Sequence, residues 1–413
     1  MAHHPNNNRN TAMSDEFYRL SLLPPYVIAE INAMRAAARR KGEDVIDLGM
    51  GNPDLPPPQH VIDKLIEVAS KPDAHGYSQS KGIPGLRRAQ ANYYGTRFNV
   101  ELDPETEVVV TMGSKEGLAS LATAITAPGD VVLAPDPSYP IHTFGFIMAG
   151  ATIHAVPTTP DEFYFQSLEK AVADCRPKPK VLVVNYPSNP TAETVDLAFY
   201  ERLVAFAKDN NLYVISDLAY SELYYDGKPT RSILEVPGGK DVAVEFTSLS
   251  KSYSMAGWRM GFAVGNRKLI AAMTRVKSYL DYGAFTPIQA AACAALNGPQ
   301  DIVAENRARY QKRRDVMVES FARAGWDIPA PAASMFAWAP LPPALAHMGS
   351  LEFSKELLTN ANVAVAAGIG YGPRGEGYVR IAMVENEQRI RQAARNIKRY
   401  FQKMGINTPA QGD

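Results

Sequence analysis

Val242-Ala243-Val244-Glu245-Phe246-Thr247 runs straight into Ser248-Leu249-Ser250-Lys251-Ser252-Tyr253-Ser254-Met255-Ala256-Gly257-Trp258-Arg259. A short apolar, β-branched run that stops at a hydroxyl-rich turn predicts a buried strand with polar groups at its carboxyl end. The same pattern recurs in Val108 to Thr111, Val131 to Ala134, Thr152 to Val156, Val181 to Asn185, Tyr213 to Asp217 and Met260 to Val264. Between these runs lie amphipathic stretches such as Lys115 to Ile125 and Leu197 to Asp209, with apolar residues at helical spacing. The alternation predicts an α/β fold built on a mostly parallel, doubly wound sheet, whose ligands sit beyond the carboxyl ends of the strands. Gly113-Ser114, Asn185 through Asn189, Asp217 and Ser248 through Lys251 each follow their strand directly. After about Asn297 the pattern changes to a long charged helix, Asp301 to Gly325, short apolar runs at Ser334 to Ala339 and Asn362 to Ala367, and a basic helix from Asn386 to Gly405. That mixture predicts a smaller α+β domain drawn from the two chain ends, residues 14–60 and 300–413, beside a large domain over residues 61–299.

Composition narrows the partners. The 413 residues carry 43 Lys+Arg and 43 Asp+Glu, so no net field draws the chain to nucleic acid or an anionic membrane, and small-molecule substrates are expected. Cys175 and Cys293 are the only cysteines, too few for a disulfide framework or a cysteine-based zinc site, which suits a reducing, cytoplasmic setting with no metal. Residues 1–13, with His3, His4 and Asn6-Asn7-Asn8, lack the apolar core of a signal peptide and are expected to be a disordered tail. Nowhere do 18 uncharged apolar residues occur together. The basic residues of the last helix, Arg389 to Lys403, read as a solvated face.

A lysine among hydroxyls, with an arginine eight positions on, has the parts of a pyridoxal-phosphate site. The Lys251 amine captures the coenzyme aldehyde as a Schiff base, while Ser248, Ser250 and Arg259 ring its phosphate with hydroxyl donors and a planar charged fork. Ser-x-Lys alone is more often a solvated turn, so the other residues must decide. The coenzyme's ring nitrogen has to stay protonated, which calls for a carboxylate beside it. Asp217 ends an apolar strand, where an unpaired aspartate is costly. At roughly 3 Å and an effective dielectric near 20, its gross attraction to a pyridinium is about 5 kcal/mol. The competing use of Asp217 is a helix N-cap. Tyr220 and Asn189 are placed to donate hydrogen bonds to the ring's phenolic oxygen, and Tyr139 offers a face for the ring to stack on, although either aromatic also suits a core.

Gly113-Ser114-Lys115-Glu116-Gly117 stands where a strand ends and a helix starts, so the Ser114 and Lys115 amides face outward at the positive end of the helix dipole, ready for phosphate. The alternative there is a Ser N-cap with Glu116 in the first turn. No P-loop order is present, and Gly368-Ile369-Gly370-Tyr371-Gly372 is rejected as a dinucleotide fingerprint because Pro373, Gly375 and Gly377 follow in place of a helix. Arg380 interrupts the strand-like Tyr378-Val379-Arg380-Ile381-Ala382. It suits a bidentate clamp on a substrate carboxylate, or a structural pair with Glu385 or Glu387.

Taken in order, Gly51-Asn52-Pro53-Asp54, Tyr77, Gly113-Ser114-Lys115, Tyr139, Asn189-Pro190-Thr191, Asp217-Leu218-Ala219-Tyr220, Ser248-Leu249-Ser250-Lys251, Arg259 and Arg380 resemble the fold-type I aminotransferases, from about Leu23 to Gly405. The resemblance implies that Lys251 is the Schiff-base lysine and proton shuttle, Asp217 the pyridinium partner, and Asn189 and Tyr220 the phenolate ligands. It implies Tyr139 as the stacking residue and Ser114, Lys115, Ser248, Ser250 and Arg259 as the phosphate cup. Arg380, Asn189 and the Gly51 backbone fall on the α-carboxylate site. It further implies a homodimer with shared active sites, Tyr77 reaching the phosphate held by the other subunit. Ala192 stands where many relatives have glycine, which puts the local turn in doubt.

Leu23-Pro24-Pro25-Tyr26, Gly85-Leu86-Arg87-Arg88, Asp241 to Phe246, Lys251-Ser252-Tyr253 and Lys277-Ser278-Tyr279 are most similar to bacterial alanine-synthesising glutamate-pyruvate aminotransferases, a subgroup related to diaminopimelate and aspartate aminotransferases. The expected reaction is a ping-pong transamination between glutamate and pyruvate, with Lys115 as the contact for glutamate's distal carboxylate. Rival readings are a pyridoxal-phosphate lyase or decarboxylase, and a non-enzymatic aminotransferase-like sensor domain.

Overall fold

The computed structural model describes residue 17, residues 21–24 and residues 27–406; the expected N-terminal tail lies outside them. Counting strands from β1 (Ile46–Asp47), the seven apolar runs become β2 (Val108–Thr111), β3 (Val131–Asp136), β4 (Thr152–Pro157), β5 (Pro179–Asn185), β6 (Tyr213–Asp217), β7 (Ala243–Ser248) and β8 (Gly261–Gly265). They form one seven-stranded sheet in the order β2-β8-β7-β6-β5-β3-β4. All pairings are parallel except those of β8, which is antiparallel to both β2 and β7. The reversal has a local cause. Between β7 and β8 the chain makes only a four-residue helix, Leu249–Ser252, and a short 3-10 turn, Ala256–Trp258, neither long enough to cross a sheet face.

This reversal decides where the polar turns meet. Thr111 at the end of β2 pairs with Gly261 at the start of β8, and Gly261 pairs in turn with Ser248 at the end of β7. Asn185 and Asp217, the last residues of β5 and β6, lie side by side on the same edge. Period-2 alternation sorts the other side chains. Val110, Leu182, Val184 and Val214 enter the core on one face of the sheet, and Val109, Val181, Val183 and Ile215 the core on the other.

A third core joins Ile46 and Leu48 to residues from the chain's last third, such as Trp326, Phe336, Ile381 and Phe401, and takes in Tyr220, Leu223 and Tyr225 as well. Here β9 (Phe336–Pro340), β11 (Ala366–Ala367) and β12 (Tyr378–Ala382) form an antiparallel sheet, while β10 (Val363–Ala364) pairs with β1 in parallel. The long helix Asp301–Ala322 starts in the first core at Val303 and ends in the third at Phe321. The glycine run from Gly368 folds into two 3-10 turns, Gly368–Tyr371 and Pro373–Gly375, as its prolines and glycines demand. No helix among the described residues is long and apolar enough to cross a membrane.

Ala192 adopts φ 60°, the left-handed conformation that glycine enters freely. For alanine that region costs on the order of 1 kcal/mol, which its amide bond to the Ser188 carbonyl, 3.0 Å, helps to hold.

One residue inside an apolar run is not apolar. Glu245 is fully buried in β7, where its carboxylate accepts from Tyr94 Oη at 2.9 Å, from Ser216 Oγ at 2.9 Å and from Ser232 Oγ. Burial pushes its carboxyl up to about 7, against the pull of those donors. The native state therefore holds this proton more tightly than the unfolded chain does, so the group's contribution to stability is full below pH 4.5 and is lost as pH rises toward 7. We expect the stability difference between wild type and Glu245→Gln, measured by urea unfolding, to move by roughly 3 kcal/mol in favour of Gln between pH 5 and pH 8. A flat difference would place the titration elsewhere.

Candidate active site

Twelve of the thirteen sequence-selected residues line one cavity of about 560 Å³: Gly51, Ser114, Lys115, Tyr139, Asn189, Asp217, Tyr220, Ser248, Ser250, Lys251, Arg259 and Arg380. Tyr77 lies outside it, 89% exposed, with its ring 4.7 Å from that of Tyr282.

The anion-binding end is built by β2, β7 and β8. The helix Ser114–Ile125 starts at Gly113, φ 85°, and no side chain caps its first amides. Ser114 is thus the first helical residue rather than the cap, and its hydroxyl donates to the Thr247 carbonyl at 3.2 Å. A Cβ at Gly113 would stand 2.1 Å from Arg259 Nη2, and one at Gly261 would stand 2.9 Å from the Ser114 nitrogen. Only glycine lets the guanidinium and the helix start approach this closely. Ser248 caps the four-residue helix that carries Lys251, accepting from the Ser250 amide at 3.1 Å, and its hydroxyl meets that of Ser250 at 2.8 Å. Uncapped amides, two hydroxyls and a guanidinium form a cradle suited to a phosphate dianion.

Lys251 Nζ donates to the Gly51 carbonyl at 2.5 Å. Loss of hydration inside the cavity pushes its ammonium down to about 8, and the charges of Arg380 and Arg259 act in the same direction. Asp217 is buried and shares a 2.9 Å hydrogen bond, through Oδ2, with Nε2 of the fully buried His142. Its Oδ1 accepts from the Ala219 amide at 3.1 Å within a turn, and since no helix starts there the helix N-cap weighed against it from sequence does not form. Asn185 Nδ2 donates to the Asp217 carbonyl at 2.7 Å, and its Oδ1 accepts from the Asn189 amide at 2.8 Å, tying two of the turns together.

Asn189 Nδ2 lies 3.5 Å from Tyr220 Oη. Burial pushes the Tyr220 hydroxyl upward, as it does that of Tyr139, so both remain protonated donors at neutral pH. Arg380 sits over the Phe336 ring at 3.9 Å, donating from Nη1 to Asn189 Oδ1 at 3.0 Å and from Nη2 to the Gly49 carbonyl at 2.7 Å. Its buried Nε has no hydrogen-bond partner. The structural pairing weighed for Arg380 does not form with Glu387, which binds Lys312 at 3.4 Å instead. Lys115 Nζ lies 5.6 Å from the centroid of the Tyr139 ring.

Sequence reasoning missed His142, Arg35 and Asp47, and it placed Asn185 on the functional edge without giving it a role. His142 sits in the largely apolar helix Ile141–Met148, and only the tertiary fold, which brings its Nε2 to Asp217 at the end of β6, exposes its role. Arg35 and Asp47 line the cavity from the helix Val27–Arg40 and from β1.

The doubly wound sheet brings an amine, a buried carboxylate and an anion cradle together on one edge, a set suited to group transfer on an anionic ligand. Residues 43–397 match the family Aminotransferase class I and II, and the chain belongs to that family. It is an aminotransferase. Among its relatives, AatC of Rhizobium meliloti is 63% identical over 94% of this chain and 96% of that protein. The glutamate-pyruvate aminotransferase AlaC of Escherichia coli is 51% identical over 96% of each chain. The LL-diaminopimelate aminotransferase of Moorella thermoacetica is 42% identical over 94% of this chain and 99% of its own. The solved structure of substrate-bound BacF from Bacillus subtilis superposes with a TM-score of 0.89 at 35% identity, covering 94% of this chain and 98% of that one. Members of the family use pyridoxal phosphate, and the residues here fit that group. The cradle closed by Gly113 and Arg259 matches a phosphate, and Asp217, oriented by His142, matches a pyridinium.

Proposed function

We propose that this aminotransferase moves an amino group between glutamate and pyruvate, using pyridoxal phosphate held by Lys251. The observation that carries the reading is the meeting in one cavity of Lys251 and of Arg380 with its unpartnered Nε, both donating to carbonyls of the same short loop. Pyridoxal phosphate, when bound, supplies an electrophilic carbon for an amine and an electron sink for the Cα–H bond of an amino acid. Ser114, Lys115, Ser248, Ser250 and Arg259 are assigned to its phosphate, Tyr139 to its ring face, Asn189 and Tyr220 to its phenolic oxygen, and Asp217 to its ring nitrogen.

Arg380, with Asn189 and the Gly51 backbone, orients the substrate by its α-carboxylate. The fork is already levelled by Phe336 and two acceptors, so little freedom is left to lose on binding. Lys251, released from the coenzyme, takes the α-proton. An amine near 8 is a competent base at neutral pH, which an ordinary lysine is not. With its backbone amide given to the phosphate, Lys115 is assigned through its ammonium to glutamate's distal carboxylate.

The likeness to AlaC supports glutamate and alanine as the substrates, and the 42% identity to a diaminopimelate aminotransferase supports the second reading. A homodimer is supported by the exposed apolar surface formed by Tyr77, Tyr279, Leu280, Tyr282 and Phe285. Tyr77 there is free to reach a neighbouring subunit's phosphate. A cytoplasmic location is supported by Cys175 and Cys293, both unpaired.

A steady-state panel tests the substrates. We expect alanine with 2-oxoglutarate, and glutamate with pyruvate, to give the highest kcat/KM, in a sample running at twice the chain mass. Faster use of LL-diaminopimelate or aspartate overturns the assignment. Turnover without any oxo acid would point to a lyase or decarboxylase, and retardation of DNA to a sensor domain.

A further inference from the structure

The loop that receives both Lys251 and Arg380 is itself held from behind by an ion pair that lines the cavity. Asp47 Oδ1 accepts from the Gly49 and Met50 amides at 3.1 and 3.3 Å, fixing the turn. Its Oδ2 is paired with Arg35 Nη1, and Arg39 Nη2 stands 3.7 Å away. Both Arg35 and Asp47 are largely shielded, with side chains 16% and 14% exposed. Beyond the turn, Gly49 O accepts from Arg380 and Gly51 O from Lys251. Gly51 also lies so close to Phe336 that a Cβ would stand 2.5 Å from that ring, the ring on which Arg380 rests. At its far end the loop is pinned by Asp54, which takes a bidentate pair from Arg313 at 2.9 and 2.7 Å.

We propose that Asp47 and Arg35 are positioning residues for the substrate clamp. Through the Gly49–Gly51 turn they set the guanidinium of Arg380 for the α-carboxylate, and so couple docking of the helix Val27–Arg40 to substrate binding. The inference rests on the assignment of Arg380 to that carboxylate. Because the coupling runs through the part common to all amino acids, its loss is blind to the substrate side chain.

The test uses coenzyme-loaded enzyme. Asp47→Ala, which removes both the ion pair and the turn's acceptor, is expected to raise KM for alanine and for glutamate alike by about 10-fold, with kcat within about 3-fold. Asp47→Asn keeps an acceptor for the two amides and loses only the ion pair, so it should match Arg35→Met in a smaller rise of the same kind. The double variant Arg35→Met/Asp47→Asn should be no worse than either single one. Calorimetric binding of glutarate should weaken in parallel. Unchanged KM with a lowered Tm overturns the inference, as does a fall in kcat alone. A loss confined to glutamate also overturns it and places Arg35 on the distal carboxylate. Arg380→Lys is the reference. If it leaves KM unchanged, the clamp assignment falls and this inference with it; if it raises KM while the Asp47 and Arg35 variants do not, only the inference falls. Should Asp47→Ala fail to fold, Asp47→Asn and Arg35→Met decide the matter.

Discussion

Lys251→Ala is expected to abolish transamination, with kcat falling by at least about 10⁴-fold, because the proposed mechanism has this one side chain both hold the coenzyme and move the α-proton. The same variant, mixed with coenzyme, should lack the visible absorbance of the loaded wild type, and borohydride should no longer fix the coenzyme to the chain. Folding should survive, since removing an amine that has lost its hydration deprives the native state of little. The pH behaviour follows from the direction of the shift. With its ammonium pushed down to about 8, Lys251 should bind added coenzyme faster as pH rises, levelling off above about 8 rather than above 10. At pH 7 about one amine in ten is then uncharged, against about one in three thousand for an unperturbed lysine. Turnover retained by the alanine variant would end the proposed mechanism.

Asp217→Asn is the second large effect, an expected loss of about 10³-fold in kcat. Asparagine keeps the size of the side chain and its bond to the Ala219 amide, but it cannot hold a proton on the facing nitrogen of a bound pyridine ring. It also changes what His142 meets. With a carboxylate, His142 presents Nε2–H and leaves Nδ1 buried without a partner; with an amide that arrangement loses its charge. Asp217→Glu should recover little, because the extra methylene moves the carboxyl against His142 in a space already closed. An Asn variant with more than a tenth of wild-type kcat would remove Asp217 from the coenzyme's ring nitrogen.

Much of this architecture is legible from sequence because a strand buried on both faces announces itself as an apolar run, and the polar residue that ends it marks the functional edge. Asp217 and Lys251 were selected that way, and both line the cavity. His142 was not, since it stands with Thr143 in a helix that otherwise reads as core and its partner lies 75 residues away. Asp47 was hidden for a different reason. Its strand has only two residues, too few for any periodicity, and its ion pair with Arg35 bridges two elements whose contact no local pattern encodes. Glu245 shows the opposite error, an ionisable group absorbed into a hydrophobic run because its four donors come from elsewhere in the chain. Arg380 offered two readings by sequence, a carboxylate clamp or a pair with Glu385 or Glu387, and the pair with Glu387 does not form. The nearby Glu387 faces Lys312, leaving the guanidinium to the cavity.

The close approach of Arg259 to Gly113 has a consequence for how such an enzyme can change over generations. A methyl group at residue 113 would collide with the guanidinium, and one at residue 261 with the backbone of the first helical turn. Neither glycine is therefore free to drift while the arginine stays, and the arginine gains nothing from a shorter substitute that leaves the hollow open. We expect these three positions to tolerate replacement only together, the glycine at 113 for its φ of 85° as well as for the guanidinium beside it.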